Sequence, residues 1–348
     1  MRVGLVYDLR DDYRALGFAE EDTAEFDFAA TIEAIEAALA MLGHETERIG
    51  NVRALAARLA DGARFDLVFN TAEGVRGFGR EAQVPALLEA FEIAYTFADP
   101  LVAALTLHKG MAKRVLREAG VPTSRFCLVA EPADLAAIDL PFPLFVKPVA
   151  EGTAKGIDVG SRVESRAALA ARCRHVIERY GQPALVEPWL PGREFTVGIL
   201  GGGRDARAIG TLELRLRPGA EPHVYSYLNK EKSEELVDLP LADAEASARV
   251  EPVALAAWRA LGGRDAGRVD LRLDREGRPM VLELNPLPGL HPTHSDLPIL
   301  WTALGRTYEA LIAAIVDCAA ARRREAPAGR AGGRRRRSRA DALASALG

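Results

Sequence analysis

Gly267-Arg268-Val269-Asp270-Leu271-Arg272-Leu273, a charged turn, and then Met280-Val281-Leu282-Glu283-Leu284-Asn285-Pro286 form the stretch whose reading decides the fold. At the two-residue period of a strand, Arg268, Asp270 and Arg272 share one face, and Val281, Glu283 and Asn285 share one face of the next strand. With Asp274 to Gly277 as a four-residue turn, Asp270 is expected opposite Val281 and Arg268 opposite Glu283, so that Asp270 and Glu283 are diagonal neighbours. Two carboxylates held together repel unless a cation lies between them, and magnesium takes oxygen ligands together with substrate phosphates. Asn285 adds a neutral oxygen. A surface hairpin with its charges in water is the competing reading. The apolar opposite face, Met280, Leu282 and Leu284, and the Pro286-Leu287-Pro288-Gly289 segment that follows favour the metal.

Upstream, Lys147 ends an apolar strand, Leu144-Phe145-Val146, and Glu151-Gly152-Thr153-Ala154-Lys155-Gly156 follows before a further strand expected at Gly156 to Gly160. Strand, small-residue loop and strand read as a flap whose N–H groups and Thr153 hydroxyl cover phosphate oxygens, with Lys147 at its root. A plain hairpin turn remains the alternative. No Walker loop and no GxGxxG sequence at the start of a helix occurs. Ala184-Leu185-Val186-Glu187-Pro188-Trp189-Leu190, followed by Glu194, reads as a strand entering a hinge against which adenine can lie, with a carboxylate for the ribose, or else as an ordinary core strand. Lys230 sits on a charged connection able to close as a lid, or is a solvated loop lysine. The six histidines show no ligand spacing, so none is assigned to catalysis.

The first hundred residues alternate strands and helices: Val3 to Tyr7, Phe28 to Leu42, Thr46 to Ile49, Val52 to Ala60, Leu67 to Asn70, Gln83 to Phe91 and Ile93 to Phe97. This is a parallel α/β pattern, whose ligands bind beyond the carboxyl ends of the strands. Pro100 to Gly120 is expected to be helical. Beyond Ser124 short strands predominate, interrupted by helices at Ser165 to Tyr180 and Ala244 to Leu261, which is an α+β body.

With 348 residues, 49% of them apolar, the chain is long enough for two or three cores and for a multidomain enzyme. Its start is neither a secretory leader nor an apolar run long enough to cross a bilayer, and cytoplasmic residence is expected. Cys127, Cys173 and Cys318 lack CxxC spacing, which argues against disulfides and zinc. The net charge of −4 conceals a tail, Arg322 to Gly348, of +7 on a body of −11. Such an Arg-rich, Gly/Ala-rich segment is expected to be disordered; without a basic groove in the body, no specific nucleic-acid partner and no membrane is expected.

In order and spacing, Lys109, Lys147, the Glu151 to Gly156 flap, Glu187 to Leu190, Glu194, Lys230, Arg268, Asp270, Glu283 and Asn285 resemble the ATP-grasp superfamily, specifically the D-alanine–D-alanine ligase family. The resemblance spans about residues 100–322, with a weaker likeness in the leader. It implies a Rossmann-like pre-ATP-grasp domain at 1–99, ATP-grasp subdomains at 100–187 and 188–321, and the tail at 322–348. It implies ATP as co-substrate, two magnesium ions (or manganese), an acyl-phosphate intermediate, and a dipeptide, D-alanyl-D-alanine first, made for peptidoglycan. A homodimer is implied in the same way.

By position, Lys109 and Lys147 would hold phosphates, with Glu151, Gly152 and Thr153 over them, Glu187 and Leu190 the adenine edge and Glu194 the ribose. Lys230 would approach the γ-phosphate, Asp270, Glu283 and Asn285 would ligate the metal, and Arg268 would stabilise the acyl-transfer intermediate. Ser295 and Gly289 are the substrate-side candidates. The departures fall on the substrate side: Glu20-Glu21-Asp22-Thr23-Ala24-Glu25 replaces the family's leader motif, Glu231 its lid tyrosine, and Leu107-His108-Lys109 its Met-Asp-Lys. A ligase for other amino acids or acids, and a nucleotide-binding regulator without turnover, are the alternative readings.

Overall fold

The computed structural model describes residues 1–325. Strands β1 (Arg2–Val6), β2 (Glu45–Gly50) and β3 (Leu67–Asn70) form a parallel sheet in the order β2-β1-β3. Both of its faces are covered, as a parallel sheet requires. Helices Val52–Ala60 and Gln83–Ala90 pack one face, while Ala29–Met41 and the C-terminal helix Tyr308–Glu325 pack the other through Ile35, Leu39, Ile312 and Ile315. The strand expected at Ile93 to Phe97 reduces to one bridge, Val68 to Tyr95, because Glu92 and Phe97 take positive φ at either end and leave no room for a longer ladder.

Strands β4 (Cys127–Val129), β5 (Leu144–Pro148), β6 (Arg162–Val163) and β7 (Ala184–Pro188) form an antiparallel sheet in the order β4-β7-β5-β6, backed by helix Arg166–Tyr180. Gly156 to Gly160 is not the expected strand. Gly156 has φ +72°, and Asp158 accepts from the Gly160 N–H at 2.7 Å and from Arg172 at 2.8 Å, which bends the chain before β6 begins. The helix expected over Pro100 to Gly120 is two, Pro100–Leu107 and Lys109–Glu118. They part at His108, whose ring accepts from Met111 N–H, while the Lys109 N–H is donated to Val149 O at 2.9 Å instead of continuing the first helix.

Strands β8 (Glu194–Leu200), β9 (Arg207–Leu216), β10 (Val237–Asp238), β11 (Ala266–Leu273) and β12 (Pro279–Asn285) make the largest sheet, β10-β9-β8-β11-β12, all antiparallel. Helix Ala244–Leu261 covers it, with Trp258 fully buried and its indole N–H donated to Gly201 O at 3.0 Å. Gly267 must be glycine: a Cβ there would stand 2.5 Å from both Asn285 O and the Trp258 ring. Trp258→Ala is expected to cost about 3–5 kcal/mol, measured as a fall in denaturant midpoint, since it removes a large core side chain and one buried hydrogen bond.

The β11–β12 register differs from the expected one at two points. The connection holds five residues, because the Asp274 carboxylate accepts from both Glu276 and Arg278 N–H, so Leu273 pairs with Pro279. A β-bulge then leaves Leu282 as an extra residue, so that Leu271 pairs with Val281 but Asp270 pairs with Glu283. The bulge returns Glu283 and Asn285 to the expected face, with Asp270 and Glu283 directly opposed instead of diagonal; before it the faces are the reverse of those expected, Val281 packing in the core with Leu271 and Met280 standing opposite Arg272. Arg268 consequently pairs with Asn285, not Glu283.

Of the Arg-rich tail expected to be disordered from Arg322, Arg322 to Glu325 instead close the last helix, and the rest of that expectation, residues 326–348, lies outside the described residues. Among the described residues no single helix is long and apolar enough to cross a membrane.

Candidate functional site

Two adjoining cavities lie between the sheets. One is lined by Phe145, Lys147, Glu187, Leu190, Glu194 and Asp270 among others. The other is lined by Gly152, Thr153, Asn285, Gly289 and Ser295 together with leader residues Arg10, Glu25, Asp27 and Glu73. Lys109, Glu151, Lys230, Arg268 and Glu283 line both and mark where the cavities meet. Every residue singled out as a candidate therefore falls on one of two connected spaces.

In the first cavity, β5 and β7 set Phe145 beside Glu187 and put Lys147 on the same face, because alternate residues of a strand share a face. Glu187 is buried; Lys113 stands 3.2 Å from one carboxylate oxygen and Lys147 3.7 Å from the other. Glu194 pairs with Arg272 at 3.1 Å, a contact fixed by their register on β8 and β11, and Arg272 lies 4.2 Å above the Trp189 ring.

At the junction, Asp270 accepts from Thr196 at 2.8 Å, from Asn285 at 3.1 Å and from Arg268, whose guanidinium also lies 3.5 Å from Asp296. Glu283 pairs with Lys109 at 3.2 Å. Burial pushes the Asp270 carboxyl up, and Glu283 and Asp296 add to this against the pull of Arg268. Burial also opposes charge on Glu283, but Lys109, Lys147 and Arg268 hold it well below the usual carboxylate range. Among the described residues no cluster of three histidine, cysteine or acidic side chains could hold a metal. The set here is two facing carboxylates and one amide, hard oxygen donors that suit magnesium when phosphate oxygens and water complete the octahedron.

The flap meets the leader. The Gly152 N–H is donated to Glu25, which also accepts from Arg80 at 2.7 Å, and Arg80 donates to Ala150 O at 2.9 Å. The Gly152 N–H is thus held by a leader carboxylate in this structure, and Thr153, at φ +49°, lines the second cavity, not the first. Lys230 lies on a short helix, Tyr227–Glu231, where a loop was expected, and the neighbouring Glu231 pairs with Arg10 of the leader at 3.1 Å. Ser295 accepts from the His291 N–H at 3.0 Å, and Gly289 passes so close that a Cβ would stand 2.8 Å from its hydroxyl.

A family model described as "D-ala D-ala ligase C-terminus" matches residues 115–317. The chain belongs to the D-alanine–D-alanine ligase family. A relative named D-alanine–D-alanine ligase from Bordetella avium is 34% identical over 276 residues, 77% of this chain and 82% of that one. Another with that name, from Xylella fastidiosa, is 33% identical over 288 residues, 80% and 90% of the two chains. A D-alanine–D-alanine ligase structure from Bacillus anthracis, complexed with ATP, superposes with a TM-score of 0.70 at 22% identity, covering 94% of this chain and all of that one, which shows the ATP-grasp fold. Like its family, this ligase is ATP-dependent and forms a carbon–nitrogen bond.

Several residues of this ligase's site escaped the sequence. Thr196 was findable in principle, since β8 places it opposite Asp270. Lys113 carried a signal too, standing one turn after Lys109 on the same helical face. Arg10 and Arg80 fall in the segments after β1 and β3, where ligands of a parallel sheet bind, and Glu25 ends the altered leader segment, but their pairings were not readable, since Arg80 and Glu25 lie 55 residues apart and Arg10 and Glu231 lie 221 apart.

Asp27 makes a prediction for this ligase. Burial raises its carboxyl to about 7 against the hydrogen bond from Thr71 at 2.6 Å, with Asp8 adding to the rise. Between about pH 4 and pH 7 the folded chain keeps a proton that the unfolded chain releases, so this group's stabilising contribution is complete at low pH and is lost as pH rises through 7. Asp27→Asn is expected to melt with wild type at pH 4 and several degrees above it at pH 8. A constant difference across thermal melts in this range would contradict the assignment.

Proposed function

We propose that this ligase joins two small amino acids, D-alanine to D-alanine first, using ATP and magnesium, as a step toward peptidoglycan. The observation that carries this reading is the meeting of the two cavities at Lys109, Glu151, Lys230, Arg268 and Glu283, which delivers the terminal phosphate of a nucleotide in the first to a carboxylate in the second. The relatives' names supply the substrate.

Residues 1–99, 100–187 and 188–321 serve as the leader and two grasping bodies of the reading. In it Lys109 and Lys147 hold phosphates, Glu151, Gly152 and Thr153 cover them, Glu187 and Leu190 meet the adenine edge, and Glu194 meets the ribose. A carboxylate oxygen of the first amino acid attacks the γ-phosphorus and ADP leaves; the amine of the second attacks the acyl carbon, and inorganic phosphate leaves with the broken C–O bond. Asp270, Glu283 and Asn285 would hold divalent cations, which neutralise the phosphate charge that develops in such a transfer. Lys230 approaches the γ-phosphate from the lid, and Arg268 offers a guanidinium to the oxyanion of the acyl-transfer intermediate. Positioning and charge neutralisation carry the rate without a covalent protein intermediate. The cytoplasm and a homodimer complete the proposal.

A second reading, a ligase for another amino acid, is favoured by the Glu20 to Glu25 segment that departs from the family's leader motif and by the second cavity's wall, which carries Glu25, Asp27, Glu73 and Glu81. Phosphate release and product mass with D-alanine alone, against a panel of D- and L-amino acids and their pairs, separate the two. Turnover with D-alanine alone supports the first; turnover only with other members of the panel selects the second.

A further inference from the structure

Lys113 is the most deeply buried cation of the site, 1% exposed, and its three donor positions are all used: 2.8 Å to Thr123 Oγ1, 3.2 Å to Glu187 Oε1 and 3.3 Å to Val281 O. Thr123 in turn donates to Val281 O at 2.7 Å, and the Val281 N–H is donated to Pro122 O at 2.9 Å. The lysine therefore ties β12, just before the bulge that carries Glu283, to the carboxylate on β7. Glu187 is 2% exposed and lines the first cavity, yet its second oxygen, Oε2, is buried without a hydrogen-bond partner. Lys147 is the nearest cation to that oxygen, at 3.7 Å, and it faces the same cavity.

We infer that Lys113 is a specificity-determining positioning residue: it fixes the Glu187 carboxylate so that Oε2 accepts from the 6-amino group of adenine and rejects the 6-oxo group of other purines. This rests on the proposed placement of adenine against Glu187. A phosphate drawn to Lys147 takes that lysine from Glu187 and leaves Lys113 as the carboxylate's remaining counter-ion. A buried, ionised oxygen without a partner then requires an N–H donor from the ligand. Adenine presents one at C6, whereas hypoxanthine and guanine present a carbonyl oxygen, and two acceptors facing each other in a site closed to water are rejected strongly. Burial opposes the charge on Glu187, and the two lysines, Lys113 first, keep it ionised, in agreement with the geometry.

The test uses the full-length enzyme with its amino-acid substrates and compares ATP with ITP, which carries a carbonyl in place of the 6-amino group and, with it, a proton at N1, so that the change of the ratio in the Glu187 and Lys113 variants, and not the wild-type ratio alone, reads the contact at the 6-position. Wild type is expected to favour ATP by about 100-fold or more in kcat/KM. Glu187→Gln, Lys113→Met and the double variant are each expected to reduce that ratio by about tenfold or more, mainly through KM for ATP, with the double no lower than the lower single. Lys113→Arg, which keeps the charge, is expected to restore part of the ratio. If Lys113→Met does not fold, Lys113→Gln, which retains donors for Thr123 and Val281, replaces it. A wild-type ratio in the Lys113 variant beside a reduced one in Glu187→Gln overturns the role of Lys113 and leaves the adenine placement standing. A wild-type ratio in Glu187→Gln overturns the placement itself.

Discussion

Asp270→Asn and Glu283→Gln are each expected to lower magnesium-dependent turnover by about a thousandfold or more while leaving the protein folded. The two carboxylates face each other across the β11–β12 ladder, and each is supported separately, Asp270 by Thr196, Asn285 and Arg268 and Glu283 by Lys109. An amide at either position keeps the hydrogen-bonding shape and removes one negative charge from the metal set, while Arg268, which acts on both carboxylates, keeps the other as partner. Folding is preserved because the strands are held by their ladder and by Val269, Leu271, Val281 and Leu284 in the core behind them. The measurement is ADP formation against magnesium concentration, with circular dichroism as the control. Wild-type turnover in both variants would remove the metal assignment.

The second large effect is expected at Arg268. Arg268→Lys should lower kcat by about 10²–10³ and leave ATP affinity within a few-fold of wild type. The guanidinium holds Asp270 and reaches Asp296 at the same time, and it lines both cavities. An ammonium keeps the charge but is a point donor, so it can serve one carboxylate or the developing oxyanion and not hold all three in a plane. Pre-steady-state mixing places the loss: formation of ADP in a first turnover should survive better than peptide-bond formation. Equal losses in both steps, or a rise in KM for ATP with unchanged kcat, would reassign Arg268 to nucleotide binding.

Most elements were legible because their signal is local. The alternation of Arg268, Asp270 and Arg272 with Val269 and Leu271 fixes which face of β11 is chemical, and Ile35 and Leu39 mark the buried face of Ala29–Met41 without reference to any other segment. The misread segments fail where a distant group changes the local outcome. The helix broken at His108 looks continuous in composition, and it breaks because Val149, forty residues on, takes the Lys109 N–H. The Gly156 to Gly160 strand is lost because Arg172, on the following helix, clamps Asp158 and Gly156 O.

Local pattern was enough to read the chemical face of β11, the acidic and amide residues of the hairpin with their lysines, and the family to which these belong, but not the faces of Met280 to Leu282 ahead of the bulge. It took the packed chain to set Asp270 directly opposite Glu283, to bring Glu25 to the flap and Arg10 to Glu231, and to put Lys113 behind Glu187. The reason is physical: periodicity and side-chain chemistry are properties of neighbours in the chain, whereas a bulge or a buried ion pair depends on how segments far apart in sequence close upon each other, and no local pattern records that closure.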